Sequence, residues 1–132
     1  METILIVDDE PEVLGVVVDM LQAKGYTILQ TGDPLEALRI ARTEKGVIDL
    51  LLSDVVMPLM NGREMSEKIR AIRPGIKVLF MSAYSTDTIT AYGIRIARGQ
   101  PFVTKPFRME DLAAQVRAAL DYRTPFGKRP GA

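Results

Sequence analysis

Apolar positions along this chain alternate between two rhythms. Ile4 to Val7 is a short, wholly apolar run rich in β-branched residues, the pattern of a strand covered on both faces. Pro11 then starts a helix, because its missing N–H costs nothing in a first turn. Val13, Leu14, Val17, Val18 and Leu21 form that helix's inward stripe, and Gly25 ends it. The pair repeats four more times. Tyr26 to Gln30 predicts a less apolar strand, as near a sheet edge, and Asp33-Pro34 predicts a capped helix on Leu35, Leu38 and Ala41 that stops at Gly46. Leu50 to Leu52 predicts a third strand, and Met65, Ile69 and Ile72 mark a third helix closed by Pro74-Gly75. Val78 to Met81 predicts the fourth strand, followed by a weaker helix on Ile89, Tyr92 and Ile96. Phe102 to Thr104, beside Pro101, suits a short edge strand, and Met109, Leu112, Val116 and Leu120 sit at helical spacing on the last helix.

Five strand–helix repeats imply right-handed crossovers and one parallel sheet with helices on both faces, an α/β fold. The length of 132 residues fits a single domain, able to bury roughly two-thirds of its unfolded surface without disulfide or structural metal. No linker, internal repeat or second domain interrupts the pattern. The expectation is a domain over 1–122 and a frayed or linker-like tail over 123–132, where two prolines and two glycines gather.

Composition narrows the chemistry. With no Cys and no His, the chain has no thiol nucleophile, no thiolate or imidazole zinc site, no Ser-His-Asp triad and no histidine phosphocarrier. The 17 basic residues equal the 17 acidic ones, but three basic residues and no acid fall in the tail, so the body is mildly acidic and a poor general binder of nucleic acid. No apolar run approaches membrane-spanning length, and Met1-Glu2-Thr3 lacks the basic flank of a signal peptide, which predicts a soluble cytoplasmic protein without membrane contact.

In an open parallel sheet, ligands bind beyond the carboxyl ends of the strands, where strand order reverses. Asp8, Asp9 and Glu10 follow the first predicted strand, Asp54 the third, Ser82 the fourth and Lys105 the fifth. Each alone has a plain structural role. Asp9 or Glu10 suits a helix cap, Asp54 before Pro58 and Gly62 suits a turn, and Lys105 suits a solvated surface. Their convergence on one rim is harder to account for that way. Two carboxylates ~4 Å apart repel by ~4 kcal/mol at an effective dielectric of about 20, and a cation relieves this. Hard oxygen ligands suit Mg²⁺. A carboxylate beside Mg²⁺ and a lysine is well placed to attack a phosphoryl group, whose equatorial charge is then neutralised.

Val7-Asp8-Asp9-Glu10, Ser53-Asp54 leading through Met57-Pro58 to Asn61-Gly62, Met81-Ser82-Ala83, and Thr104-Lys105-Pro106-Phe107 together resemble the signature of response-regulator receiver domains, in order and over residues 3 to about 121. The resemblance implies a flavodoxin-like, doubly wound five-stranded sheet of order 2-1-3-4-5. It implies Asp54 as phosphoacceptor, charged from a histidine of a sensor kinase or histidine phosphotransfer protein. Asp8 and Asp9 would hold Mg²⁺ together with Asp54 and the backbone carbonyl of Val56. Ser82 would hydrogen-bond one phosphoryl oxygen and Lys105 would pair with another. Phe102 would be the switch aromatic, with Ser82 its trigger, and the output face would be the fourth helix, fifth strand and fifth helix. Val56 and Tyr84 would flank the water that hydrolyses the phosphoryl group, and the Lys105-Pro106 bond would be cis.

Within the family, Leu52 to Pro58 with Val78 to Tyr84 resemble the C-terminal receivers of hybrid sensor histidine kinases. The stretch Ala97 to Phe102 lacks the acidic pair usual before the fifth strand of receivers fused to winged helices, and the tail is too short for an output domain. The chain reads as a stand-alone receiver or a piece of a longer protein. Two other classes stay open: a Mg²⁺-dependent phosphohydrolase working through an aspartyl-phosphate, and a phosphorylation-independent binding module on the same fold. The first usually sets its two aspartates two apart after one strand, unlike Asp8-Asp9 here, and the second is expected to have lost an acid or the lysine.

Overall fold

The wholly apolar runs pair with one another. In a computed structural model, which describes residues 1–122, they form one parallel sheet of β1 (Thr3–Val7), β2 (Thr27–Thr31), β3 (Leu50–Asp54), β4 (Lys77–Ser82) and β5 (Phe102–Thr104), ordered β2-β1-β3-β4-β5. Between them run α1 (Pro11–Ala23), α2 (Pro34–Thr43), α3 (Gly62–Ile72), α4 (Thr86–Ala91) and α5 (Met109–Asp121). The tail expected beyond Arg123 lies outside the described residues. Among those described, no helix is long and apolar enough to cross a membrane.

Successive strand residues point to opposite faces, so one sheet feeds two cores. Leu5, Val7, Leu51, Val78 and Phe80 pack with the stripes of α2 and α3 and with Ile89 of α4. Ile4, Ile6, Leu50, Leu52, Leu79, Met81 and Val103 pack instead with Val17, Leu21, Leu112 and Val116 of α1 and α5. Each such Leu, Ile or Val contributes roughly 1.5–3 kcal/mol by leaving water. β1 and β3, central and covered on both faces, are nearly all buried, whereas β2 at the edge is not. Asp33 caps α2 by accepting the Leu35 N–H at 2.9 Å, and Asn61 caps α3 by accepting that of Glu64. At the far end of α3, Arg73 donates to the carbonyls of Ala41 and Gly46, each at 2.8 Å, and to that of Glu44, tying the end of α2 to that of α3.

Three expectations need correction. The fourth helix stops at Ala91, so Ile96 lies beyond it and Tyr92 is exposed; Gly93 turns left-handed at φ 82°, and the three threonines of α4 are weak helix formers. Ile94 is buried beyond that turn. Leu35 and Met109 sit in first turns and are half exposed, because the buried face of α2 runs through Pro34, Ala37, Leu38 and Ala41 and that of α5 begins at Leu112. Asp54 and Ser82 are the last residues of β3 and β4, not residues following them.

Candidate functional site

β1 and β3 are neighbours at the point where strand order reverses, so Asp8, just past β1, and Asp54, ending β3, meet across the sheet's carboxyl edge. Both are buried. Asp8 Oδ1 accepts the Glu10 N–H at 2.9 Å, and Asp54 Oδ1 accepts the Val55 N–H at 2.9 Å, which fixes each carboxylate with one oxygen left over. Lys105, just past β5, is held over them by its own N–H donating to the Ser82 carbonyl at 2.8 Å. Its Nζ lies 2.7 Å from Asp8 Oδ2, 3.2 Å from Glu10 Oε1 and 3.4 Å from Asp54 Oδ2. The Lys105-Pro106 peptide is cis, as expected.

Burial is the largest influence on Asp54 and raises its pKa from 3.8 to about 6; the Lys105 charge opposes the rise and the Asp8 charge adds to it. Burial acts to lower the pKa of Lys105, but Asp8, Asp54 and Glu10 together outweigh it and hold the ammonium above its ordinary value. One cation thus serves three carboxylates. Carboxylate oxygens of Asp8, Glu10 and Asp54 all lie within 4.8 Å of one another, an arrangement of hard donors that fits a small divalent cation. Asp9 is exposed and lies outside this trio. Residues leaving a strand alternate in direction, so Asp8 and Glu10 share a side that Asp9 does not. Glu10 is therefore the acid that sequence reasoning left as a possible cap; it is the N-cap residue of α1 by position, yet its side chain makes no cap bond.

The loop from β3 to α3 is drawn tightly against Asp54. The Gly62 N–H donates to the Val55 carbonyl at 2.7 Å, and a Cβ at Gly62 would stand 2.1 Å from the Asp54 carbonyl oxygen, so only glycine fits. Ser53 Oγ donates to that same carbonyl at 2.7 Å. Leu59 takes φ 74° at the loop's exposed tip, a left-handed conformation uncommon for a branched side chain. Val56 is half-buried against the α2–α3 core. Ser82 is fully buried, and its Oγ accepts the Tyr84 N–H at 3.0 Å. The exposed Tyr84 ring meets Tyr92 edge-on at 5.9 Å. Phe102, opposite Phe80 in the β4–β5 register, is partly buried against the same core as Ile89 and Ile96. A groove of about 470 Å³ opens beside Glu10 and Lys105, lined by Val13, Val16, Val17 and Phe107.

Residues 4–117 match the family described as the response regulator receiver domain. The chain belongs to this family. It is thus a phosphoacceptor domain of two-component signal transduction. It is 36% identical to sensor kinase CckA of Brucella abortus, over 90% of this chain and 12% of that protein. It is 35% identical to the probable transcriptional regulatory protein TcrX of Mycobacterium tuberculosis, over 89% of this chain and 49% of that one. The chain therefore spans half or less of these relatives' lengths. Among solved structures, the receiver domain of hybrid histidine kinase CckA superposes with TM-score 0.75 at 36% identity, covering 90% of this chain and 99% of that one. The response regulator TrrA of Thermotoga maritima, solved in complex with Mg²⁺-BeF, superposes with TM-score 0.72 at 29% identity, covering 90% of this chain and 99% of that one. The likeness to hybrid-kinase receivers and the 2-1-3-4-5 flavodoxin-like order both hold.

Proposed function

We propose that Asp54 is the residue that accepts the phosphoryl group, taken from a phosphohistidine on a sensor kinase or phosphotransfer partner. The observation that carries this is the buried Asp54 carboxylate, fixed through Oδ1 and facing Lys105 Nζ through Oδ2. This chain has no His, so the donor imidazole is supplied from outside these 132 residues. Asp54 Oδ2 attacks phosphorus, the P–O bond forms as the P–N bond breaks, and the imidazole leaves with the electron pair. Burial aids the attack, because a carboxylate of raised basicity is a better nucleophile that stays largely ionised at neutral pH.

The trio of Asp8, Glu10 and Asp54 suits Mg²⁺; in this reading the Val56 carbonyl and Asp9, exposed beside the trio, would complete its ligands, and the ion would neutralise phosphoryl-oxygen charge when bound. Lys105 exchanges one carboxylate contact for a phosphoryl oxygen. Ser82 Oγ already accepts from the Tyr84 N–H, leaving its own proton to donate to another phosphoryl oxygen. That donation draws Ser82 inward and frees space for the Phe102 ring, which changes the face of α4, β5 and α5. We place the docking of the phosphohistidine donor at the apolar groove beside Lys105, next to the exposed Val16. Val56, whose side chain has no polar group, and Tyr84, bulky and exposed, leave hydrolytic water poorly oriented, so the phosphoryl group is lost slowly. The receiver unit spans 1–122, acts in the cytoplasm and performs no turnover beyond its own phosphorylation and dephosphorylation.

Intact-mass measurement after incubation with acetyl phosphate and Mg²⁺ tests the assignment. One added phosphoryl group is expected, absent without Mg²⁺ and absent from Asp54→Asn. Equal labelling of Asp54→Asn overturns it, and sustained hydrolysis of a phosphate ester assigns the chain to the phosphohydrolase class instead.

A further inference from the structure

Two tyrosine rings stand in solvent at either end of α4. Tyr84 follows Ser82 by two residues, at the carboxyl edge of the sheet, where β4 lies beside the Asp54 end of β3. Its backbone is fixed on both sides. The Tyr84 N–H donates to Ser82 Oγ at 3.0 Å, and Ser85, the N-cap of α4, accepts the Thr88 N–H at 3.2 Å. The ring, 43% exposed, can change place by rotation about χ1 alone. It lies against Tyr92, the C-cap residue of α4, with centroids 5.9 Å apart and planes at 74°. The helix rises roughly 10 Å from Ser85 to Tyr92, so the contact requires the Tyr84 ring to lie along α4 while the Tyr92 ring leans back towards the helix start. A ring laid along α4 is not over Asp54. Tyr92 builds no core, being 63% exposed, and among the described residues the ring it meets is that of Tyr84.

We propose that Tyr92 is a positioning residue that sets the lifetime of the phosphoryl group: it holds the Tyr84 ring along α4, clear of the approach to Asp54, and a Tyr84 ring released from it screens the phosphoryl group from water. This rests on the reading above that Tyr84 slows hydrolysis. In that reaction the water oxygen bonds to phosphorus as the bond from phosphorus to Asp54 Oδ2 breaks. The carboxylate keeps the electron pair, and the water's proton passes to solvent. A tyrosine ring across the line of attack keeps that water out of position. The Ser82 hydroxyl, drawn to a phosphoryl oxygen, shifts the acceptor that fixes the Tyr84 N–H, and so moves the ring off Tyr92 when the phosphoryl group arrives. An edge-to-face ring pair is weak enough to part, yet biases the ring between its two places by roughly two- to tenfold.

The test follows the phosphorylated fraction of the full chain by intact mass, after labelling with acetyl phosphate and Mg²⁺ and removal of the donor. Tyr92→Ala should slow the decay by about twofold or more, the bias a ring pair supplies, whereas Tyr84→Ala should hasten it. The double variant should decay like Tyr84→Ala, because Tyr92 has nothing to act through once that ring is gone. Tyr92→Phe, which keeps the ring edge, should decay like wild type. Tyr92→Leu gives the same reading as Tyr92→Ala if the latter misfolds. In the unphosphorylated chain, nuclear Overhauser contacts should join the two rings, and the Tyr84 ring resonances should move in Tyr92→Ala. Decay in Tyr92→Ala as fast as wild type or faster, a Tyr92 effect that persists without Tyr84, a Tyr92→Phe that behaves like Tyr92→Ala, or rings with no contact each overturn the proposal. A Tyr84→Ala that decays faster beside an unchanged Tyr92→Ala overturns this inference and leaves the lifetime reading of Tyr84 standing. A Tyr84→Ala that decays like wild type, or a wild-type chain that takes no label, overturns both.

Discussion

Replacing Asp54 by Asn removes a charge that the fold pays to bury. The carboxyl is buried, and its pKa rises from 3.8 to about 6, chiefly through desolvation, with the Lys105 attraction already opposing that rise. Below about pH 4 the group is protonated in native and unfolded chains alike, and burying it carries no ionisation cost. Between about pH 4 and 6 the native state holds a proton that the unfolded chain has released, so wild-type stability falls as pH rises. Above about pH 6 the cost is complete, and the displacement corresponds to about 3 kcal/mol. Asparagine keeps the shape without the charge. Asp54→Asn should therefore be more stable than wild type by about 2–3 kcal/mol near neutral pH, with the difference shrinking towards zero by about pH 4. Urea denaturation of both proteins in chelator across this range measures it. Glu2, Glu36 and Asp121, each held below its usual range by hydrogen bonding to an arginine, change the pH profile of both proteins equally and cancel in the difference. A variant that is less stable than wild type at neutral pH, or a difference that does not depend on pH, refutes the reasoning. Added Mg²⁺ should close the gap from the wild-type side, because the ion is attracted to the charge the variant lacks.

Gly62→Ala should destabilise by roughly 1–3 kcal/mol and weaken Mg²⁺ binding in calorimetry, because the new Cβ meets the Asp54 carbonyl oxygen at 2.1 Å and displaces the loop. Arg73→Ala should cost about 1–3 kcal/mol in urea denaturation while leaving acetyl-phosphate labelling intact, since its three carbonyl contacts lie at the end of the fold away from Asp54. Val56→Asn combined with Tyr84→Glu should speed loss of label, after donor removal, by about one to two orders of magnitude, each order being ~1.4 kcal/mol of barrier; an unchanged decay removes these two positions from control of the lifetime.

The parallel sheet with helices on both faces was legible in the sequence because it follows from local rules, whereas the strand order came only with the family resemblance. Wholly apolar runs such as Leu50 to Leu52 have to be covered on both faces, and Pro11, Asp33 and Gly25 mark helix ends whatever surrounds them. The conjunction of Asp8, Asp54 and Lys105 was also legible, since strand ends share one edge in this topology. Tertiary structure alone decided the rest. Glu10 rather than Asp9 closes on Lys105, because the direction of the chain leaving β1 is set by the pairing of β1 with β2 and β3, not by residue type. The early end of α4 depends on Gly93 turning left-handed and on Ile94 finding the core beyond it.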